Sequence, residues 1–181
     1  MRAANSILAV EFLAHARHSL TRHHLPRIGR CLKLLAGREI WWRGNSASNS
    51  VGNLVLHLEG NVRQWIISGV GGAPDRRDRH REFAERGPIP RRKLFAHLER
   101  TVVEACGVLI QQSPGDLARV RTIQGFRVTG FKAVAHVIEH FAYHTGQIAY
   151  ATKLLRRRDL KFTRLPGRNP KWSFRGKLPT I

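Results

Sequence analysis

The sequence predicts an all-α protein, a four-helix bundle with a long loop between its second and third helices and a basic C-terminal tail. Four long stretches carry apolar residues at helical spacing. Only one short segment, RTIQGFRVT, alternates in the manner of a strand. The length of 181 residues suits one domain with a substantial core, which we place at residues 1–160, followed by the tail at 161–181.

The first two helices are delimited by residues that interrupt or cap helical structure. The first is expected over residues 4–36, and Pro26 should kink or divide it because proline cannot donate a backbone hydrogen bond. A loop rich in Asn and Ser follows. Ser48 or Ser50 can cap the second helix, which we expect to run to about Val70.

The second half of the chain contains the long loop and two further helices. Residues 69–90 form a polar loop around GVGGAPDRRDR, and a loop of this length in a compact domain usually has a function or is disordered. Pro90 opens the third helix, which we expect to reach about Gln112. After the short extended segment, Thr129 caps a fourth helix that should end near Arg158.

The charge balance is strongly basic. Lys and Arg outnumber Asp and Glu by 32 to 12, which gives a formal net charge of +20. Such a charge attracts polyanions. Basic residues concentrate near the C-terminus around Phe162, Trp172 and Phe174, a composition that suits single-stranded nucleic acid through phosphate contacts and stacking. The alternative, which we expect, is a solvated basic tail, because no nucleic-acid-binding motif accompanies the charge.

Membrane insertion and a disulfide scaffold are not expected. No run of 18 apolar residues is present. The apolar patch at residues 7–10 is interrupted by Glu11, which argues against a secretory signal, so we expect a cytoplasmic protein. Cys31 and Cys106 form no CxxC pair and are too few for a disulfide framework, so we expect both to be reduced thiols.

The second helix carries a narrow polar stripe. At 100° per residue its members fall within roughly 80° of arc: Asn53, His57, Asn61 and Gln64. Glu59 and Arg63 point the opposite way, and charged residues mark the solvent face of a helix. The stripe should therefore face the interior, where each unpaired polar group costs roughly 1–3 kcal/mol and needs a partner.

The fourth helix repeats the same spacing with His136, His140, His144 and Gln147. Helical bundles build metal sites in their cores from side chains on facing helices. We therefore expect His57, His140 and His144 to converge on one divalent metal ion and to leave an open coordination position, as in catalytic zinc sites. Three imidazoles alone suit zinc, nickel, copper and iron.

The other polar residues of the two stripes are expected to support this site. Three roles are open to His136: a fourth ligand, a hydrogen-bond donor behind the ligands, or a packed residue; we expect the second. The amides should orient ligands or substrate: Asn53, Asn61, Gln64 and Gln147. The remaining histidines show no partner spacing and are expected at the surface or in packing: His15, His18, His23, His24, His80 and His97.

These motifs resemble the DinB/YfiT-like superfamily of bacterial metalloproteins. Its signature is a histidine on the second helix and an HxxxHxGQ motif on a later helix, which match His57 and the segment HFAYHTGQ. The runs SNSVGNLVLHLEGNVRQW and GGAPDRRDR look like one branch of small DinB-like proteins. The resemblance implies a four-helix bundle, commonly a homodimer, with zinc, nickel or a similar ion at His57, His140 and His144.

The resemblance also bears on function, because related families include thiol-dependent S-transferases and a mycothiol-dependent isomerase. The leading hypothesis is a metal-dependent enzyme acting on a small molecule, either a hydrolase or a thiol S-transferase that uses a low-molecular-weight thiol. A divalent ion can lower the pKa of bound water toward about 7 or hold a thiolate. Two alternatives remain open: a nucleic-acid-associated binding protein with a structural metal, and a plain bundle whose histidines only hydrogen-bond.

Overall fold

Most of the protein is helical. The structure, a computed structural model, describes residues 2–162, with side chains from residue 6 onward. The predicted tail, 161–181, therefore lies outside the described residues from position 163. Within the described part, short helices and a two-stranded sheet join four long helical stretches, which cover residues 2–34, 51–70, 91–110 and 130–156. The described part is mostly helical, as expected, and the small sheet corrects the expectation of an all-α chain.

The first stretch is one uninterrupted helix of varying winding. It consists of α1 (Arg2–His18), a π-helical segment (Ser19–His24) and α2 (Leu25–Leu34). The kink or break predicted at Pro26 is observed as the π-helical segment directly before it. Because proline cannot donate an intrahelical hydrogen bond, the helix is wound more widely in the turn that precedes it. A single-turn helix, α3 (Gly37–Ile40), follows.

The second stretch carries the first polar stripe. It comprises α4 (Val51–Val62) and a π-helical continuation, Arg63–Val70. Ser50 caps it, in agreement with the prediction, and its Oγ accepts a hydrogen bond from the Asn53 N–H. Asn53 Oδ1 accepts one from the Ser50 N–H in return. This reciprocal capping fixes where α4 begins and thus which side chains it turns inward.

The prediction of a loop over residues 69–90 is wrong in one respect, because this segment contains a short helix. α5 (Arg79–Ala84) is capped by the carboxylate of Asp78, which accepts a hydrogen bond from the Arg81 N–H. Apolar periodicity does not reveal this helix, since charged residues dominate its sequence. α5 packs against α4 and so places part of the supposed loop next to the polar stripe.

The third stretch, α6 (Arg91–Ile110), begins directly after Pro90, as predicted. A short helix, α7 (Pro114–Ala118), leads into a hairpin of β1 (Val120–Ile123) and β2 (Phe126–Thr129), which pair in antiparallel fashion. The alternating segment therefore forms two strands instead of one extended piece.

The fourth stretch, α8 (Gly130–Arg156), carries the second stripe. Thr129 caps it as predicted, with Oγ1 accepting a hydrogen bond from the Lys132 N–H. α8 packs against α2 and α4, and α4 also contacts α5 and α6. The two polar stripes consequently lie on neighbouring helices.

Apolar side chains from all four stretches form a continuous core. Ile28, Leu58, Leu98 and Phe141 are completely buried in it. Each large side chain of this kind contributes about 1.5–3 kcal/mol by leaving water. Within residues 2–162, no helix combines the length and apolarity needed to cross a membrane.

Candidate metal centre

Three imidazoles from two helices converge where α4 meets α8. His57 comes from α4, and His140 and His144 come from consecutive turns of α8. One nitrogen of each ring lies within 4.8 Å of the other two. His57 and His144 are buried and His140 is half-buried. The convergence expected from the two stripes is therefore present.

The spacing of the nitrogens fits a divalent ion. The Nε2 atoms of His57 and His140 are 2.9 Å apart, a distance that requires a shared hydrogen or an intervening cation. With Zn–N bonds of about 2.0–2.1 Å, tetrahedral geometry would place ligand nitrogens about 3.3 Å apart. That separation lies between the observed 2.9 Å and the 4.8 Å limit of the group. Small side-chain rotations would bring all three nitrogens onto one ion.

Hydrogen bonds behind two of the rings determine which nitrogen faces the centre. His57 Nδ1 lies 2.8 Å from Glu82 Oε2 and donates its hydrogen to that carboxylate. His144 Nδ1 donates to Gln147 Oε1 over 2.7 Å. In both rings Nε2 is then the unprotonated nitrogen, the form that metal ligation requires.

Burial keeps the α8 imidazoles neutral. It lowers the pKa of His140 to about 3, and the neighbouring His144 and His57 add to the effect. Burial also lowers the pKa of His144, although the hydrogen bond with Gln147 acts in the opposite direction. Both rings are therefore uncharged at neutral pH, the protonation state in which imidazole binds metal.

Two residues that sequence reasoning missed complete the centre. Arg77 Nε donates to Glu82 Oε1 over 2.7 Å, and Arg77 Nη2 donates to Oε2 over 2.9 Å. The Glu82 and Arg77 side chains are only 10% and 3% exposed. Burial raises the pKa of Glu82, but hydrogen bonds from Arg77 and His57 outweigh this and hold the pKa below its usual value. The carboxylate behind His57 is thus charged and paired.

Gly60 provides the room for this carboxylate. It lies on α4 almost one turn after His57, and a Cβ at this position would collide with Glu82 Oε1. A glycine in a helix interior costs about 1 kcal/mol relative to alanine and often marks a close approach. Gly60 is therefore a local signal in the sequence that another segment packs against this face of α4.

Two amides of the α4 stripe, Asn53 and Gln64, hold the chain that carries Glu82. All four members of that stripe are buried, in agreement with the predicted inward face. Asn53 Nδ2 donates to the backbone carbonyls of Glu82 and Glu85, each over 2.9 Å. Gln64 Nε2 donates to Asp75 over 2.7 Å and its Oε1 accepts from Arg77 over 2.9 Å. These contacts position residues 75–85 against the metal centre and do not reach the cluster itself.

His136 and Gln147 differ in how they relate to the cluster. His136 lies outside the three-histidine group, with its Nε2 3.3 Å from Asn61 Nδ2 and its ring 4.1 Å from that of Trp65. Because an amide nitrogen only donates, His136 Nε2 accepts this hydrogen bond, and the two contacts favour the packing role over that of a fourth ligand or a donor. Gln147, expected to face inward, has an exposed side chain that nevertheless bonds to His144.

Two histidines outside the centre have a partner that α-helical spacing hides. His18 and His23 are five residues apart, and their Nε2 atoms lie 3.1 Å from each other. The π-helical winding of residues 19–24 brings positions i and i+5 together. Both side chains are exposed, in agreement with the expected surface positions, and only their pairing goes beyond the expectation. His24 is half-buried, and burial, assisted by Arg27 and His23, lowers its pKa to about 4.

The fold is that of solved DinB-like proteins. A DinB-like protein from Bacillus cereus ATCC 10987 is similar with a TM-score of 0.58 and 14% identity, over 74% of this chain and 87% of its own. YjoA, a DinB-like protein from Bacillus subtilis, is similar with a TM-score of 0.60 and 15% identity, over 82% of this chain and 94% of its own. Fold and cluster together define a DinB-like helical protein with a buried three-histidine group.

The chain belongs to the family described as Protein of unknown function (DUF1572), whose model matches residues 8–169. The match includes both helices that carry the three histidines. No curated protein matches the sequence. Family and fold together confirm the DinB-like resemblance of the motifs.

Proposed function

We propose that this protein is a metal-dependent enzyme, either a hydrolase or a thiol S-transferase, built on a four-helix bundle. Zinc or nickel would be held by His57, His140 and His144. One observation carries the proposal: three imidazole nitrogens from two helices lie within 4.8 Å of one another. The group contains no carboxylate or thiolate, so the ligands leave the ion its full charge and an open position.

The ion would supply Lewis acidity, which lowers the pKa of a bound water or thiol. The protein's own residues orient the ligands. Glu82 fixes the tautomer of His57 and raises the basicity of its ligating nitrogen, while Gln147 fixes the tautomer of His144. Arg77 neutralises the buried charge of Glu82. His140 is the most accessible of the three rings, which favours substrate approach from its side.

The thiol S-transferase alternative requires a low-molecular-weight thiol as the second substrate. The proposed thiol and the proposed homodimer are supported by the DinB/YfiT-like resemblance of the motifs. The hydrolase alternative needs only water and an electrophilic substrate. The two reactions therefore differ in whether added thiol is consumed.

The activity test compares these reactions on protein purified without a histidine tag, stripped with EDTA and reloaded with zinc or nickel. Hydrolysis of 4-nitrophenyl acetate reports the first reaction, and conjugation of cysteine to 1-chloro-2,4-dinitrobenzene reports the second. We expect metal-dependent turnover in one assay, lost in His140→Ala and retained in His97→Ala, which removes an exposed histidine on α6. Fully loaded protein that is inactive in both assays would contradict the enzyme proposal.

A second function, nucleic-acid binding, is favoured by a cluster of cations around Phe162. The guanidinium carbons of Arg27 and Arg30 each lie 5.7 Å from the centroid of the Phe162 ring. The adjoining cleft, about 350 Å³, is lined without any acidic residue by Arg22, His23, Pro26, Arg27, Arg30 and Phe162. Cations beside an aromatic ring suit phosphate contact and base stacking.

Replacing both Arg27 and Arg30 with alanine should weaken the binding of single-stranded DNA. The plot of log K against log salt has a negative slope, and its magnitude should decrease by about 1.4. Each phosphate contact to a single strand contributes about 0.7 to that magnitude, and two contacts are lost. The matched control replaces two exposed arginines of α6, Arg92 and Arg100, and changes the net charge equally. An equal loss in both double variants would show that overall charge, not this cluster, governs binding.

A further inference from the structure

A cleft of about 650 Å³ lies on the same two helices as the metal centre. One wall is the chain before α4, including Trp42 and Ala47; the others are Leu54 of α4 and the outer face of α8 with Tyr143 and Tyr150. Its volume falls within the range of about 300–1,000 Å³ that is typical of small-molecule sites. The cleft is therefore large enough for a ligand of moderate size.

The cleft adjoins the three-histidine centre through Gln147 and Tyr143, although none of the three histidines lines it. Gln147 lines the cleft and accepts the hydrogen bond from His144 Nδ1 over 2.7 Å. Tyr143 also lines it, and its ring centroid lies 5.1 Å from that of His144. Tyr150 lies six residues after His144 on α8, about 9 Å away at the helical rise per residue. Gln147 and Tyr143 therefore place the cleft beside the His144 ring, one helical turn along α8 from the centre.

The lining is uncharged, although the chain carries a net charge of +20. Aromatic and aliphatic side chains dominate it, and the polar contributions come from Ser48, Asn49 and Gln147. Tyr143 is 65% exposed and Tyr150 71% exposed, so large aromatic surfaces are open to a ligand. A contiguous apolar patch of this kind, rimmed by polar residues, is typical of a ligand-binding groove.

We propose that this cleft binds an uncharged aromatic or aliphatic portion of the substrate whose reacting group lies at the three-histidine centre. The link to the reacting group rests on the proposed function, whereas binding in the cleft does not depend on a metal. The substrate class is thereby narrowed to small molecules with an apolar group separated by a few bonds from the reacting group.

The first arm of the test uses metal-free protein and the neutral fluorescent probe N-phenyl-1-naphthylamine. Ala47→Trp fills the cleft from an exposed position in the chain before α4. Its matched control, Ala118→Trp, fills a different apolar cleft from an equally exposed position. We expect saturable binding that weakens at least about tenfold in Ala47→Trp, since apolar burial is lost, and stays unchanged in Ala118→Trp.

Absent binding, or binding that Ala47→Trp leaves unchanged, would overturn the inference. Tyr150→Ser provides a second variant, because it removes an exposed ring from the cleft without adding bulk. Sedimentation of the same proteins tests the competing occupant, a second copy of the chain. A dimer that excludes the probe and separates into monomers in Ala47→Trp would also overturn the inference.

The second arm uses cobalt-loaded protein and compares butane-1-thiol with 4-phenylbutane-1-thiol. The cobalt–thiolate absorption band reports the sulfur at the centre, independently of the cleft. We expect the phenyl group to tighten binding at least about tenfold in the wild type and to give no gain in Ala47→Trp. A band with equal affinity for both thiols would refute the inference and leave the proposed function intact. The absence of any band would instead count against the thiol S-transferase form of the proposed function, with the probe experiment still deciding the cleft.

Discussion

Replacing His140 with alanine should abolish tight metal binding while the helices remain folded. Structural zinc sites with four ligands bind with about 10–16 kcal/mol, which is about 2.5–4 kcal/mol per ligand. Losing one of three imidazoles should therefore raise the dissociation constant by about 10²–10³-fold. His140 is half-buried and its pKa is lowered mainly by burial, so its removal also relieves an unfavourable burial of polar atoms.

Equilibrium dialysis against zinc, followed by elemental analysis of tag-free protein, measures this effect. The wild type should retain about one equivalent, and His97→Ala should match it. A further control is His23→Ala, because the exposed pair of His18 and His23 offers two nitrogens 3.1 Å apart to a weakly held ion. Retention of one tight equivalent in His140→Ala would show that the three-histidine cluster is not the binding site.

Replacing Glu82 with alanine should destabilise the fold and weaken metal binding together. The change leaves the guanidinium of Arg77, only 3% exposed, without its counter-charge. Breaking a buried pair in this way costs about 3–5 kcal/mol of unfolding free energy. Loss of the carboxylate behind His57 should also weaken metal binding by about 10–100-fold. Urea denaturation in EDTA and zinc titration measure the two effects separately.

The control for Glu82 is Glu104, whose carboxylate pairs with Arg63 over 3.2 Å at the surface. These side chains are 51% and 43% exposed, so Glu104→Ala should cost no more than about 1 kcal/mol. Equal costs for Glu82→Ala and Glu104→Ala would contradict a buried network behind the metal centre.

Gly60→Ala tests the position of the Glu82 carboxylate without removing any hydrogen-bonding group. The added methyl group should push Glu82 away from His57 and weaken zinc binding. Gly107→Ala is the matched control, since Gly107 is also helical and, among the described residues beyond its own helical turns, nothing lies within 4 Å of where its methyl group would stand. Gly107→Ala should stabilise the protein by about 0.5–1 kcal/mol. A similar gain in Gly60→Ala, with unchanged zinc affinity, would place Glu82 elsewhere.

The helices that carry the cluster were predictable because their determinants are local. Ser50 and Thr129 each cap a helix through their own hydroxyl group, and helical periodicity separates the polar stripe of α4 from its charged face. The spacing of His140 and His144 then fixes their common side of α8. Those local signals were enough to predict that three histidines from distant segments of the chain lie close together.

The support behind the cluster was not predictable from the same signals. Glu82 lies in a segment rich in charged residues, where neither periodicity nor charge distinguishes a buried carboxylate from a solvated one. Its burial depends on long-range contacts with Asn53 and Gln64, which hold residues 75–85 in place. The pairing of His18 with His23 was hidden because π-helical winding departs from the 3.6-residue period.

X-ray absorption at the zinc edge of zinc-loaded protein identifies the atoms bound to the ion. We expect three imidazole nitrogens and one further light atom at about 2.0–2.1 Å. A sulfur scatterer at about 2.3 Å would instead place the ion at a cysteine, and the chain offers only Cys31 and Cys106. That result, or a signal from fewer than three imidazoles, would contradict a metal centre formed by His57, His140 and His144.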